Sequence, residues 1–158
     1  MNSINRIFEE NAVIDFEDFH IVNDKFPISD SHLIAITKNN SPSLIKDKIE
    51  ILPLLVAKVE HYYNEKCLFF EKGNVSFCTS FNGPFLTHIH FMRSSLLCKD
   101  TITNLKEEAD ADHFKLEKII DKSKEYLIFG ENKNTYFTDS SLINKKQFIR
   151  NYLQNKKI

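Results

Sequence analysis

Apolar positions along the chain follow two periods, and the change from one to the other marks its elements. Ile45, Ile49, Leu52, Val56, Val59 and Tyr63 recur at spacings of four and three, the one-sided stripe of a helix. Ser43 stands before this stripe as a candidate N-cap. Pro53 lies inside it and must either kink the helix or open its main part. Shorter runs read as strands: Phe16 to Val22, His32 to Ile36, Cys67 to Phe70, and Phe85 to Met92. Tyr126–Phe129 and Thr135–Phe137 form a candidate hairpin across Gly130 to Asn134. Asp24-Lys25-Phe26-Pro27 turns the chain, and Glu71-Lys72-Gly73 ends a strand, with Gly73 permitting a positive φ. The polar stretch from Asn74 to Gly83 then reads as a loop. Short helices are expected around Ile4 to Glu10, after the acidic segment Glu107–Asp112 (carrying Phe114, Ile119 and Ile120), and from Lys145 to Leu153. Strands and helices do not alternate regularly, which favours α+β with a mainly antiparallel sheet over a parallel α/β fold.

The chain has 158 residues without repeats or a Pro/Gly-rich linker, so one domain over residues 1–158 is expected. Lys and Arg number 21 against 22 acidic residues, a balance that argues against a broad electrostatic grip on nucleic acid. A local pocket for one phosphate remains compatible with it. Cys67, Cys78 and Cys98 are odd in number and show no CxxC spacing, as expected of reduced thiols. The first ten residues are polar and acidic, unlike a signal peptide, and no apolar run reaches membrane-spanning length. A cytoplasmic protein with no membrane partner is the expectation.

The segment Leu86-Thr87-His88-Ile89-His90-Phe91-Met92-Arg93 carries the strongest chemical signal. On a strand, His88, His90 and Met92 share one face, while Ile89 and Phe91 point to the other. Two adjacent imidazoles can divide labour, one attacking phosphorus while its neighbour fixes a tautomer or donates a hydrogen bond. They can equally be ordinary strand histidines. Zinc is a third use of such a pair, but the cysteines lack the spacing that would complete a typical site.

His88-Ile-His90-Phe-Met92 resembles the signature of the histidine-triad (HIT) superfamily, His-φ-His-φ-His with φ apolar. Three further segments are similar to family elements: Val22 to Lys38, Phe70-Glu71-Lys72-Gly73, and Tyr126–Phe129 followed by Lys146-Gln147-Phe148-Ile149-Arg150. The likeness spans about residues 16 to 153. It implies a HIT-like fold with a long central helix and a C-terminal helix, and a homodimer. It implies a nucleotide hydrolase or nucleotidyl transferase acting at an α-phosphate, with His90 as nucleophile and His88 in support. It also implies that Asp24 binds ribose hydroxyls and that His32 lies near the histidine pair. Lys38, Glu71, Thr87, Met92, Gln147 and Arg150 complete the expected substrate-binding set, with no metal or other cofactor required. A catalytically impaired nucleotide-binding or regulatory module is the alternative, and a structural or interaction protein on the same fold is the third.

Several residues depart from the family pattern. Met92 stands where the family has His or Gln, and a thioether cannot donate a hydrogen bond to phosphate. Phe85 replaces a small hydroxyl residue, Ser31 the glycine before His32, and Thr37 the proline before Lys38. Residue by residue, structural roles also stay open. Asp24 suits a turn, His32 the edge of a core, and Glu71 and Gly73 a strand end. Gln147 and Arg150, three apart on a helix, either point together at an anion or face solvent. His20, His61 and His113 read as surface or helix positions.

Overall fold

A computed structural model describes residues 10–16, 18–38, 43–74, 88–131, 133–140, 143 and 148–157. Eight antiparallel strands form its sheet: β1 (Ile14–Phe16), β2 (Phe19–Asn23), β3 (Leu33–Thr37), β4 (Cys67–Gly73), β5 (His88–Arg93), β6 (Asp112–His113), β7 (Tyr126–Glu131) and β8 (Asn134–Thr138). Their order across the sheet is β1-β2-β3-β5-β4-β7-β8-β6. Four α-helices accompany them among the described residues: α1 (Leu44–Asp47), α2 (Leu52–Tyr63), α3 (Thr101–Glu108) and α4 (Phe148–Gln154). The protein is therefore α+β, as its irregular succession of periods implies.

Both faces of the sheet are covered, which explains why β2 and β3 are nearly continuous apolar runs. One face carries Ile21, Leu33, Ala35, Phe69, Ile89, Phe91 and Ile128 and packs against Leu44, Leu52, Leu55, Val59 and Tyr63 of α1 and α2. The other carries Leu68, Phe70, Met92, Leu127 and Phe129 beneath α3 and α4, which contribute Leu105, Ile149, Tyr152 and Leu153. His88 and His90 lie on this second face, since His90 pairs directly with Ile34 and with Phe70 in the ladder.

The long apolar stripe resolves into two helices. Ser43 caps α1 by accepting the Lys46 amide at 3.1 Å, a single 3-10 turn follows, and Pro53 sits in the first turn of α2. Proline is tolerated there because the first-turn amides have no intrahelical acceptor. At its other end, α2 closes on Asn64 in the left-handed conformation (φ 56°).

Several expectations are corrected. The run from Phe16 to Val22 is two strands, with Phe16 paired to Phe19 across a tight turn. The helix expected to carry Phe114, Ile119 and Ile120 is reduced to a 3-10 turn at Leu116–Lys118: α3 lies earlier, and Asp112–His113 joins the sheet as β6. Asp110, at φ 53°, takes the chain out of α3 before those apolar residues are reached. His20 is buried on β2 rather than at the surface. The element around Ile4 to Glu10, Phe85 and Cys78 lie outside the described residues, apart from Glu10 itself.

Gly73 is the last residue of β4, as expected, but without a positive φ, and it is still paired to Tyr126 of β7. The Tyr126 ring lies flat over the glycine, so an added Cβ would stand 2.1 Å from Cζ. Tyr126 is itself 2 % exposed and cannot swing away. Gly73→Ala is therefore expected to destabilise the fold by about 1–3 kcal/mol, the range for overpacking a filled core. Chemical denaturation measures this; an unchanged midpoint and slope contradict the packing.

Candidate functional site

The loop from Asp24 to His32 joins β2 to β3 and delivers the site's polar groups to the end of β5. Its closure is set by backbone bonds, Asp24 N–H to the His32 carbonyl at 2.9 Å and His32 N–H to the Ser29 carbonyl at 3.3 Å. Asp24 Oδ1 accepts the Phe26 amide at 2.9 Å, the short-range bond of an Asx turn. Ser31 stands at φ 60°, in the left-handed region where glycine is the usual residue. The Tyr63 hydroxyl, from α2, donates to the Ser31 carbonyl and, at 3.1 Å, to that of Phe91. Tyr63 thus ties the loop to the strand that carries the histidines.

His90 is at the centre of the cluster. Its ring stacks on Phe70 with centroids 4.4 Å apart and planes within 7°. His88 meets it edge-on at 5.1 Å, and His32 lies on its other side, also at 5.1 Å. Three imidazoles therefore stand in a row with His90 in the middle. His32 Nε2 and His90 Nδ1 are 2.9 Å apart in a hydrogen bond, and His32 Nδ1 accepts the Ile28 amide at 2.9 Å. Behind both rings, Asp24 Oδ2 lies 3.3 Å from His32 Nε2 and 3.5 Å from His90 Nδ1. Both separations are long; the contact with His90 adds a weak hydrogen-bond component to the attraction of charge, and the shortest bond is the one between the rings.

Arg150 closes the cluster from α4. Its guanidinium lies 3.2 Å from Asp24 Oδ2 and donates a second bond to the Phe26 carbonyl. The anion this arginine meets is thus part of the protein.

Burial dominates the titration of both rings. It lowers the His32 pKa to about 3, helped by His90 and Arg150 and opposed by Asp24. Burial likewise lowers His90, with Arg150 adding to the shift and Asp24 opposing it. Asp24 moves the other way from what its burial favours: His90, His32 and the Phe26 amide together hold its carboxyl well below the usual range. Near pH 7 the rings are neutral, and Arg150 supplies the full positive charge that balances Asp24.

Asp24, His32 and His90 also place three donor atoms within 4.8 Å of one another. Ligands about 2.0–2.1 Å from one divalent ion stand at comparable separations. The outer bonding does not match, however. A metal-bound histidine ordinarily donates its other N–H to an acceptor, whereas His32 Nδ1 is itself the acceptor of a hydrogen bond from the Ile28 amide.

The remaining expected residues separate. Met92 is completely buried among Leu68, Leu105 and Phe129 and presents no polar group. Lys38 is exposed beyond β3, six residues from His32 and so roughly 20 Å away along an extended strand. Glu71 is on the opposite face of the sheet, because its neighbour Phe70 is the residue paired with His90. There it accepts the Leu44 amide at 3.0 Å and the Tyr126 hydroxyl, and burial raises its pKa to about 7 against those two bonds. Glu71 supports the start of α1 rather than the histidine cluster. Thr87 and Gln147 lie outside the described residues. Phe70, Tyr63 and the Ile28 amide belong to the site without having been expected there as site residues, since ladder register and loop closure bring them together.

No protein-family model matches the chain, and no curated protein matches it. Among the described residues no helix is long and apolar enough to cross a membrane.

Stability should report the buried rings. In the unfolded chain His32 takes up its proton near pH 6.5, while in the fold it resists until about 3. Its contribution is complete above pH 6.5 and declines as the pH falls toward 3, at about 1.4 kcal/mol per pH unit within that window. His32→Gln, which cannot titrate, should flatten the stability–pH curve between pH 6 and pH 4 by roughly that slope. Urea melts across this range test it; parallel curves for the two proteins contradict a neutral buried His32.

Proposed function

We propose that the chain is a HIT-like nucleotide hydrolase or nucleotidyl transferase that acts at the α-phosphate of a nucleoside phosphate ester or anhydride. The observation that carries this reading is the row His88–His90–His32, with the middle ring neutral and held by a charge-balanced pair behind it. A nucleophilic imidazole must be an uncharged ring near neutral pH, and burial favours the neutral ring, whichever nitrogen keeps its proton. The second-face position of both strand histidines and the approach of His32 to His90 agree with the resemblance in residues 22–38 and 88–92.

In the proposed reaction His90 first gives up its Nε2 proton and takes one at Nδ1, and the bare Nε2 then forms a bond to phosphorus as the bond to the leaving oxygen breaks. The leaving group departs with that electron pair and acquires a proton. Water or a second acceptor then attacks the phosphorus, the P–N bond breaks, and His90 is restored. His88, partly exposed at the edge of the cluster, supports His90 by orienting the ligand or moving the proton. A cytoplasmic homodimer completes the proposal; the family resemblance supports the dimer, and free cysteines at positions 67 and 98 support the compartment.

Met92 favours a second reading, a module that binds nucleotide without turning it over. Its thioether is sealed in the apolar core, so the position supplies no donor to a phosphate oxygen. Loss of one such donor costs about 2.7–4 kcal/mol of transition-state stabilisation where it has been measured in an oxyanion hole.

A panel of α-labelled nucleotides and dinucleotides, read by intact mass, separates the two readings. Catalysis predicts an acid-labile nucleotidyl adduct on the wild type that is absent from His90→Ala, while the nucleotide-dependent thermal shift persists in both. A thermal shift with no adduct and no turnover supports the binding module. Neither adduct nor shift across the panel contradicts both.

A further inference from the structure

The two short bonds around His32 have a consequence for where the protons lie. A neutral imidazole carries one N–H and one lone pair. His32 Nδ1 accepts the Ile28 amide, so its lone pair is on Nδ1 and its proton on Nε2. That proton points along the 2.9 Å bond to His90 Nδ1. His90 Nδ1 must then be the acceptor, because two N–H groups cannot face one another at that separation. The remaining proton of His90 is on Nε2.

We propose that His32 is a positioning residue which, held by the Ile28 amide, keeps His90 in the tautomer that donates from Nε2. In this state His90 offers a hydrogen bond to a ligand oxygen and has no lone pair on Nε2 with which to attack. Attack by Nε2 requires three coupled proton movements. One proton arrives on His32 Nδ1 from water, one passes from His32 Nε2 to His90 Nδ1, and one leaves His90 Nε2 for water. No net proton is gained or lost, and both rings end as the opposite tautomer. The first movement is blocked while the Ile28 N–H points at His32 Nδ1, so the loop must first release that bond.

The loop is well secured against such a release. The Ile28 side chain is 1 % exposed in the core beneath α4, Tyr63 grips the Ser31 carbonyl, and Arg150 grips the Phe26 carbonyl. Activation of His90 is thus a property of the loop as well as of the ring. This functional meaning rests on the proposed attack by His90; the tautomer itself does not, and it is measurable in the protein without any ligand.

The test is nitrogen NMR on the ligand-free protein labelled with 15N in histidine, near pH 7.5. His90 should show a pyrrole-type Nε2 and a pyridine-type Nδ1, His32 the same pattern, and a scalar coupling across the hydrogen bond should join His32 Nε2 to His90 Nδ1. In His32→Leu the donor is gone, and the His90 proton should move to Nδ1 beside Asp24. In His32→Gln the amide can both accept from Ile28 and donate to His90, so His90 should keep its Nε2 proton; this variant also serves if the leucine variant does not fold. A pyridine-type Nε2 on wild-type His90, or absence of the inter-ring coupling, overturns the proposal. A correct tautomer with no nucleotide adduct leaves it standing and counts against the catalytic reading alone.

Discussion

One carboxylate oxygen organises this molecule's polar centre. Asp24 Oδ2 faces His32, His90 and Arg150 within 3.5 Å, and those residues come from the β2–β3 loop, the middle of the sheet and the C-terminal helix. A buried carboxylate without partners would be strongly unfavourable, so none of the three elements can leave independently. The same Asp24 also fixes the turn through its other oxygen. Turn geometry, docking of α4 and the setting of the two rings are therefore one constraint met by one side chain.

The sheet separates two polar arrangements that the sequence places close together. Phe70 and Glu71 are adjacent, yet Phe70 stacks on His90 while Glu71 lies beneath α1 with Tyr126. Alternation along β4 assigns the first to the histidine cluster and the second to the support of the opposite helical layer. One consequence is that the two groups respond to pH in opposite senses. A raised Glu71 pKa removes stability as the pH climbs from 4.5 toward 7, whereas the lowered His32 pKa removes it as the pH falls below 6.5.

What could be read in advance follows the range of the forces involved. The stripe from Ile45 to Tyr63, the Ser43 cap and the 126–138 hairpin are local signals, and each corresponds to an element found. The shared face of His88 and His90 follows from strand alternation alone. Features that depend on long-range register were not legible: the pairing that sets Phe70 against His90, the Tyr63 clamp, and the ion pair between residues 126 positions apart. Gly73 shows the limit well. Its backbone freedom is visible in the sequence, but its real role is to lack a Cβ beneath Tyr126, which register alone reveals. The acidic run before Phe114 misled for a local reason, because a left-handed Asp110 ends the helix early.

If Asp24 holds the loop, the sheet and α4 together as a unit, its partners should be energetically coupled to it. A double-mutant cycle with Asp24→Asn, Arg150→Gln and the pair, measured by urea denaturation at pH 7.5, tests this directly. Shared dependence predicts a coupling of about 1–3 kcal/mol, as found for residues within one charged network. Strictly additive single and double variants would contradict it.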